Sequence, residues 1–284
     1  ADLFPGIDQP PKVDEAARAA CREACAGLKL VPDETFLTKC MQFSEILRVR
    51  HSAMLLGPGG CGKTSVWKAL AAAHNLGKAR PAAVHEVVNP KALTSDELYG
   101  YMALTKDWRD GALSIVMRAM SANRPPYSAS QEHKWVVLDG DIDAIWIESM
   151  NTVMDDNKVL TLVSNERIPL SPAMRMLFEV DSLRNATPAT VSRAGVLYLG
   201  AADVGHAPLV EGWAQRRVNE VERAALPVCF DQHLPQLLKI FGDVAVAEGD
   251  TLAPLSAVGA VRQLLAFLDA VLPHVANHSQ DTLT

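Results

Sequence analysis

Phe36, Cys40, Phe43 and Leu47 recur at three- and four-residue steps, the spacing that lines one face of a helix. Asp33 stands ahead of them as an N-cap candidate, so the pattern predicts a helix from Asp33 to about Arg50. Residues 13–29, rich in Ala, Glu and Arg, read as an earlier helix, and the proline-rich 1–12 as an extended lead-in. A short apolar run ending in Met54-Leu55-Leu56 predicts a strand, and Lys63 to about His74 a helix. Further strands are expected at 83–88, 134–138, 174–180 and 195–199, with helices at 111–121 and 144–154 and a hairpin over 159–170 around Asn165-Glu166. Residues 90–107 are mixed. Strands alternating with helices imply an α/β fold with a mainly parallel sheet covered on both faces. After Gly200 the strand pattern stops, and 207–225, 233–246 and 255–271 read as helices of a smaller domain.

Composition narrows the partners. The 284 residues are 49% hydrophobic and 21% charged, a balance that supports a packed core. A net charge of −6 argues against a broad basic face, so no nucleic-acid partner is expected. The most apolar stretch, 251–276, is interrupted by Arg262 and Asp269 and reads as a packed helix, so no membrane partner is expected. Five cysteines without a CxxC pair read as small buried residues in a reducing compartment. The opening residues lack a signal-peptide pattern, and the absence of an initial Met reads as a piece of something longer.

One segment changes the picture. Gly57-Pro58-Gly59-Gly60-Cys61-Gly62-Lys63-Thr64 fits G-x-x-x-x-G-K-[ST] between an expected strand and an expected helix. Glycines let consecutive N–H groups point at phosphate oxygens, and the following helix adds its N-terminal dipole. Lys63 reaches the outer phosphates, and the Thr64 hydroxyl ligates Mg²⁺. Ser65 follows at the start of the helix, and Cys61 is a small filler. ATP and Mg²⁺ are the expected ligands. Asp139, ending the 134–138 strand, is placed to hold the metal through water. Many ATPases of this architecture carry Glu immediately after that Asp, but here the residue is Gly140, which offers no group to orient water. Asp141 is a shorter substitute with a different direction. The favoured reading is tight ATP binding with little hydrolysis; the alternative is an active P-loop ATPase using Asp141 or another acid as base. An N/T-K-x-D guanine motif is absent.

Trp135-Val136-Val137-Leu138-Asp139-Gly140-Asp141-Ile142-Asp143 and Trp146–Lys158 resemble the second AAA+ module of the dynein heavy-chain motor ring. So do Asn89-Pro90-Lys91-Ala92, Glu97-Leu98-Tyr99-Gly100, Trp108-Arg109-Asp110-Gly111 and Ala186–Gly195. The resemblance spans roughly 31–200, and Ile142–Met150 is worded more like axonemal than cytoplasmic dyneins.

The resemblance implies a P-loop AAA+ core over 31–200 after a lead-in and helix at 1–30, with a small helical subdomain over 201–284. It implies a module that binds ATP structurally within a motor for microtubule-based ciliary or flagellar movement. Its partners would be adjacent AAA+ modules and, through the rest of the protein, intermediate and light chains and microtubules; its location would be the cytoplasm, cytoskeleton and axoneme. Arg193, just before the fifth strand, is then the candidate finger lent in trans to the preceding module's site, where a fixed cation suits a transferring phosphoryl group. Asp181 is the residue placed as the polar sensor after the fourth strand, chosen over Glu179 and Asn185. Val31 and Pro32 either pack on adenine or simply pack between elements. Arg262 either reaches the nucleotide or, more simply, stands exposed on its helix. Trp108, Trp135 and Trp146 read as packing residues.

Overall fold

The computed structural model describes residues 14–200, 203, 205–248 and 257–281; the proline-rich start lies outside them. Helix α1 (Glu15–Gly27) begins at Asp14, whose side chain accepts from the Ala17 N–H at 3.1 Å. Helix α2 (Glu34–Val49) is capped by Asp33, as its position predicts.

Strand β1 (Ser52–Leu56) leads through the glycine-rich loop into α3 (Lys63–Asn75). There follow β2 (Ala83–Val88), α4 (Ser95–Tyr99), the short hairpin β3 (Gly100–Met102) and β4 (Trp108–Asp110), and α5 (Ala112–Ser121). Thr94 and Glu97 form a capping box that starts α4, a signal unused in the mixed reading of 90–107. After β5 (His133–Asp139), the expected helix over 144–154 is broken. It comprises α6 (Ala144–Ile147), a 3₁₀ turn at Glu148–Met150 and α7 (Asn151–Met154). The predicted hairpin is β6 (Val159–Thr161) and β7 (Arg167–Pro169). Strand β8 (Met174–Val180), α8 (Pro188–Arg193) and β9 (Gly195–Tyr198) complete the core.

Five strands form one sheet in the order β2-β5-β8-β1-β9, with each neighbouring pair parallel. Alternation of side chains along the strands divides the core into two layers. Ala53, Leu55, Trp135, Val137, Leu177 and Leu197 pack with α1, α2 and α3. Met54, Val136, Leu138, Met176 and Phe178 pack on the other face with α5 and the α6–α7 segment. Trp135 and Trp146 are buried packing residues. Four of the five cysteines are buried as expected, while Cys229 is exposed.

The distal helices depart from their expected limits. Helix α9 spans Ala207–Ala214, α10 Glu220–Glu248 and α11 Ala257–Asp281. The predicted helix over 207–225 breaks where Asn219 caps the Val221 N–H at 2.9 Å. Helix α10 then continues through Pro227, where a break between 225 and 233 was expected, and through Pro235, inside the helix expected over 233–246. Proline in a helix interior costs roughly 3 kcal/mol, and burial of Phe230 and Leu234 against Trp213, Val261 and Leu265 offsets it.

Candidate nucleotide-binding site

The loop between β1 and α3 is held from both sides. The Gly57 N–H donates to Val180 O on β8 at 3.1 Å. A Cβ at Gly57 would lie 2.1 Å from Leu199 O, so only glycine fits there. Gly62 adopts φ 95° immediately before α3 and supplies no side-chain cap, which leaves the helix's first N–H groups for an anion.

Lys63 is folded into this loop. Its Nζ donates to Gly57 O at 2.5 Å, Pro58 O at 3.3 Å and the Asp181 carboxylate at 2.5 Å. The Thr64 hydroxyl donates to Glu179 Oε2 at 2.6 Å, and Trp67 Nε1 donates to Glu179 Oε1 at 2.5 Å. Glu179 is buried. Because Thr64 spends its proton on Glu179, its oxygen lone pairs remain open to a cation. Asp139 is exposed at the end of β5 and in register with Glu179 on the neighbouring strand. Thr64 and Asp139 therefore bracket the end of the sheet beside the loop, a fit for a hydrated divalent ion. Glu179, passed over in the choice of sensor, reaches Thr64 while Asp181 reaches Lys63; both acids contact the loop.

Near Gly140 the acids are already engaged. Asp141 Oδ1 accepts from the Asp181 N–H at 3.1 Å, and Asp143 accepts from the Ile145 N–H at the start of α6 at 2.9 Å. A Cβ at Gly140 would face Asn89 Oδ1 at 3.1 Å and Pro90 Cδ at 3.3 Å.

Cavities lie on both sides of the loop. One, of about 220 Å³, is lined by Val31, Gly60, Ser65, Gly212, Arg216 and Arg262 among others. Pro32 is not among its lining residues. Val258 on α11 packs where a side chain on Gly60 would stand, so the distal helices close over the loop. Arg262 is exposed on its helix, as the simpler reading expects, and also faces this cavity. Arg216, missed in the sequence, sits beside it with its Nε on Gly212 O at 3.0 Å; only the fold brings it there. The second cavity, of about 600 Å³, is lined by Pro58, Gly59, Asp181 and Ser182. Cys61 is buried, and burial pushes its thiol pKa up, as suits a packing residue rather than a nucleophile.

Arg193 stands apart. It ends α8, forms an ion pair with Asp155, and its side chain is about 32% exposed. It lines neither cavity beside the loop.

The family described as "AAA domain (dynein-related subfamily)" matches residues 52–194. The chain belongs to this family. Nucleotide binding goes with this family, and the parallel sheet with flanking helices is its fold. A second match, to "Hydrolytic ATP binding site of dynein motor region", covers residues 1–64. The domain is 44% identical over 272 residues to "Dynein beta chain, ciliary" of Tripneustes gratilla, covering 95% of this chain and 6% of that protein. It is 48% identical over 241 residues to "Dynein axonemal heavy chain 9" of Homo sapiens, covering 84% of this chain and 5% of that protein. It is 42% identical over 275 residues to "Dynein beta chain, flagellar outer arm" of Chlamydomonas reinhardtii, covering 96% and 6%. The AAA domain thus spans about one-twentieth of the length of these axonemal, ciliary and flagellar relatives. Among the described residues, no helix is long and apolar enough to cross a membrane.

Proposed function

We propose that this chain is the second AAA+ module of an axonemal dynein heavy-chain ring, holding ATP with Mg²⁺ and hydrolysing it little. The observation that carries this reading is the local chemistry around Gly140. The position after Asp139 has no side chain, and the nearest substitute, Asp141, already accepts the Asp181 N–H. A base must reach and accept a proton from the attacking water; Gly140 has no group to do so, and Asp141 is tied through one oxygen to the Asp181 N–H. The "hydrolytic" family match ends at Thr64 and does not reach Asp139 or Gly140.

In this reading the loop amides, Lys63 and the first turn of α3, including Ser65, hold the phosphates. Thr64 binds the metal, and Asp139 holds it through water. Val31 and Arg262 flank the base and ribose side, and Asp181 acts as the sensor. Domain boundaries at 30/31 and 200/201 belong to the same proposal, with the 201–284 helices closing the nucleotide cavity.

Arg193 is lent to the site of the preceding module. Its support is its place outside both local cavities and the Asp155 carboxylate that orients it. Adjacent modules are then partners within one heavy chain; intermediate and light chains and microtubules meet other parts of the motor. The test is the identity of the nucleotide that Lys63 retains on purification. Retained ATP fits a holding site, and retained ADP fits an active ATPase using Asp141 or another acid.

A further inference from the structure

Ligands of parallel α/β sheets ordinarily sit at the carboxyl ends of the strands, where the P-loop is. A second polar cavity, of about 320 Å³, lies at the opposite end, where the chain enters β1 and β8. Its walls come from four separate segments. Arg48 and Arg50 end α2, His51 precedes β1, Lys158 precedes β6, and Ser171 and Arg175 flank the entry to β8.

Four permanent cations line this space and no carboxylate does, in a chain whose net charge is −6. The nearest acids stand outside it. Asp14 meets Arg48 at 3.3 Å, and Asp156 acts on His51 from a distance. Arg50 and Lys158 have no ion pair among the described residues. Arg175 is half-buried and uses Nε and one terminal nitrogen on the carbonyls of Leu47, Pro172 and Met174 at 2.7–2.9 Å. These contacts satisfy N–H groups and fix the guanidinium, but they supply no counter-charge. The Ser171 hydroxyl is buried without a hydrogen-bond partner, a group that ordinarily finds one.

From this arrangement we infer a second anion site, distinct from the P-loop, that takes a multivalent phosphate group. A single carboxylate would answer one of the three cations that Asp14 leaves without a counter-charge. A phosphate offers several oxygens to converging guanidinium and hydroxyl donors. The fixed Arg175 fork and Ser171 form the floor, and the exposed Arg50 and Lys158 form the rim.

The test uses the intact full-length protein and residue-resolved labelling. Acetylation of Lys158 and dicarbonyl modification of Arg50 are followed by peptide mass spectrometry, with inorganic phosphate or pyrophosphate as probe and sodium chloride at equal ionic strength as control. Labelling of Lys63 in the same digest reports the P-loop separately. A probe at ten times its Kd occupies roughly nine-tenths of sites, so labelling at both rim residues slows about tenfold. Arg50→Gln, an exposed change, raises the probe concentration that half-protects Lys158 by about tenfold, the loss of one charge-assisted hydrogen bond. Protection by inorganic phosphate assigns the site to the free ion; protection by pyrophosphate alone assigns it to a larger phosphate compound. Equal protection by chloride, absence of protection by either probe, or an unchanged response in Arg50→Gln overturns the inference.

Discussion

The Thr64 hydroxyl donates to the buried Glu179 carboxylate at 2.6 Å. This ties the P-loop hydroxyl to β8, the strand next to β5, whose register pairs Glu179 with Asp139.

Glu179 also accepts the Trp67 indole N–H, so its replacement acts on fold and site together. Glu179→Gln keeps one acceptor and cannot serve both donors. It is expected to destabilise the domain by about 1–2 kcal/mol and to weaken Mg²⁺-nucleotide binding, with Glu179→Ala more severe because a buried donor then lacks a partner. Denaturant unfolding and nucleotide titration with and without Mg²⁺ check this; a Mg²⁺-independent loss would place the effect on stability alone.

Arg193 is oriented by Asp155. Arg193→Ala in the full motor is expected to lower microtubule-stimulated ATPase by about tenfold or more, toward the range seen when a catalytic arginine finger is absent. Nucleotide binding at Lys63 should stay within about twofold, below the tenfold that 1.4 kcal/mol represents. Asp155→Asn, which leaves the guanidinium in place but frees it, should give a smaller loss of rate. An unaltered rate in Arg193→Ala removes the finger role.

Gly140→Glu tests the missing base directly. The new Cβ must displace Asn89 or Pro90 by a few tenths of an ångström, a shift that β2's end can absorb. Nucleotide binding is expected to persist, whereas turnover of the nucleotide held at Lys63 should rise. Single-turnover hydrolysis in the intact protein, compared with Gly140→Ala, reads the difference.

His74 and His133 stack at 4.0 Å between α3 and the start of β5. Burial first, and then His133, push the His74 pKa from 6.5 down to about 4, with Lys78 and Arg48 acting in the same direction and Glu132 opposing. His74 therefore binds fewer protons folded than unfolded between these values. Its contribution is present above pH 6.5 and is lost as pH falls toward 4. Denaturant midpoints measured across this window should decline with acid, and His74→Phe should flatten part of the slope.

Much of the core was legible because its signals are local. Met54-Leu55-Leu56, the glycines after them and Lys63 fix a strand, loop and helix within one short segment. The β5 and β8 runs carry continuous apolar stretches, Trp135–Leu138 and Met176–Phe178, as central strands buried on both faces must. The site was less legible where distant segments meet. Arg216 and Arg262 reach the P-loop cavity only because α9 and α11 fold over it, and no periodicity announces that contact. The Glu179 and Asp181 roles depend on strand direction, since alternate residues of β8 and its end point to different atoms of the loop. Helix α10 passed through Pro227 because tertiary packing outweighed a local penalty, whereas the Asn219 cap and the Thr94–Glu97 box were present in the sequence and readable.

We propose that this P-loop holds ATP more than it consumes it, and one measurement decides between the two. Purify the intact protein without added nucleotide and quantify ATP and ADP released on denaturation, against Lys63→Ala. The difference between the two preparations is the nucleotide bound here. Lys63→Ala is expected to lose one equivalent of ATP. Loss of ADP instead would contradict it and assign this module its own hydrolysis.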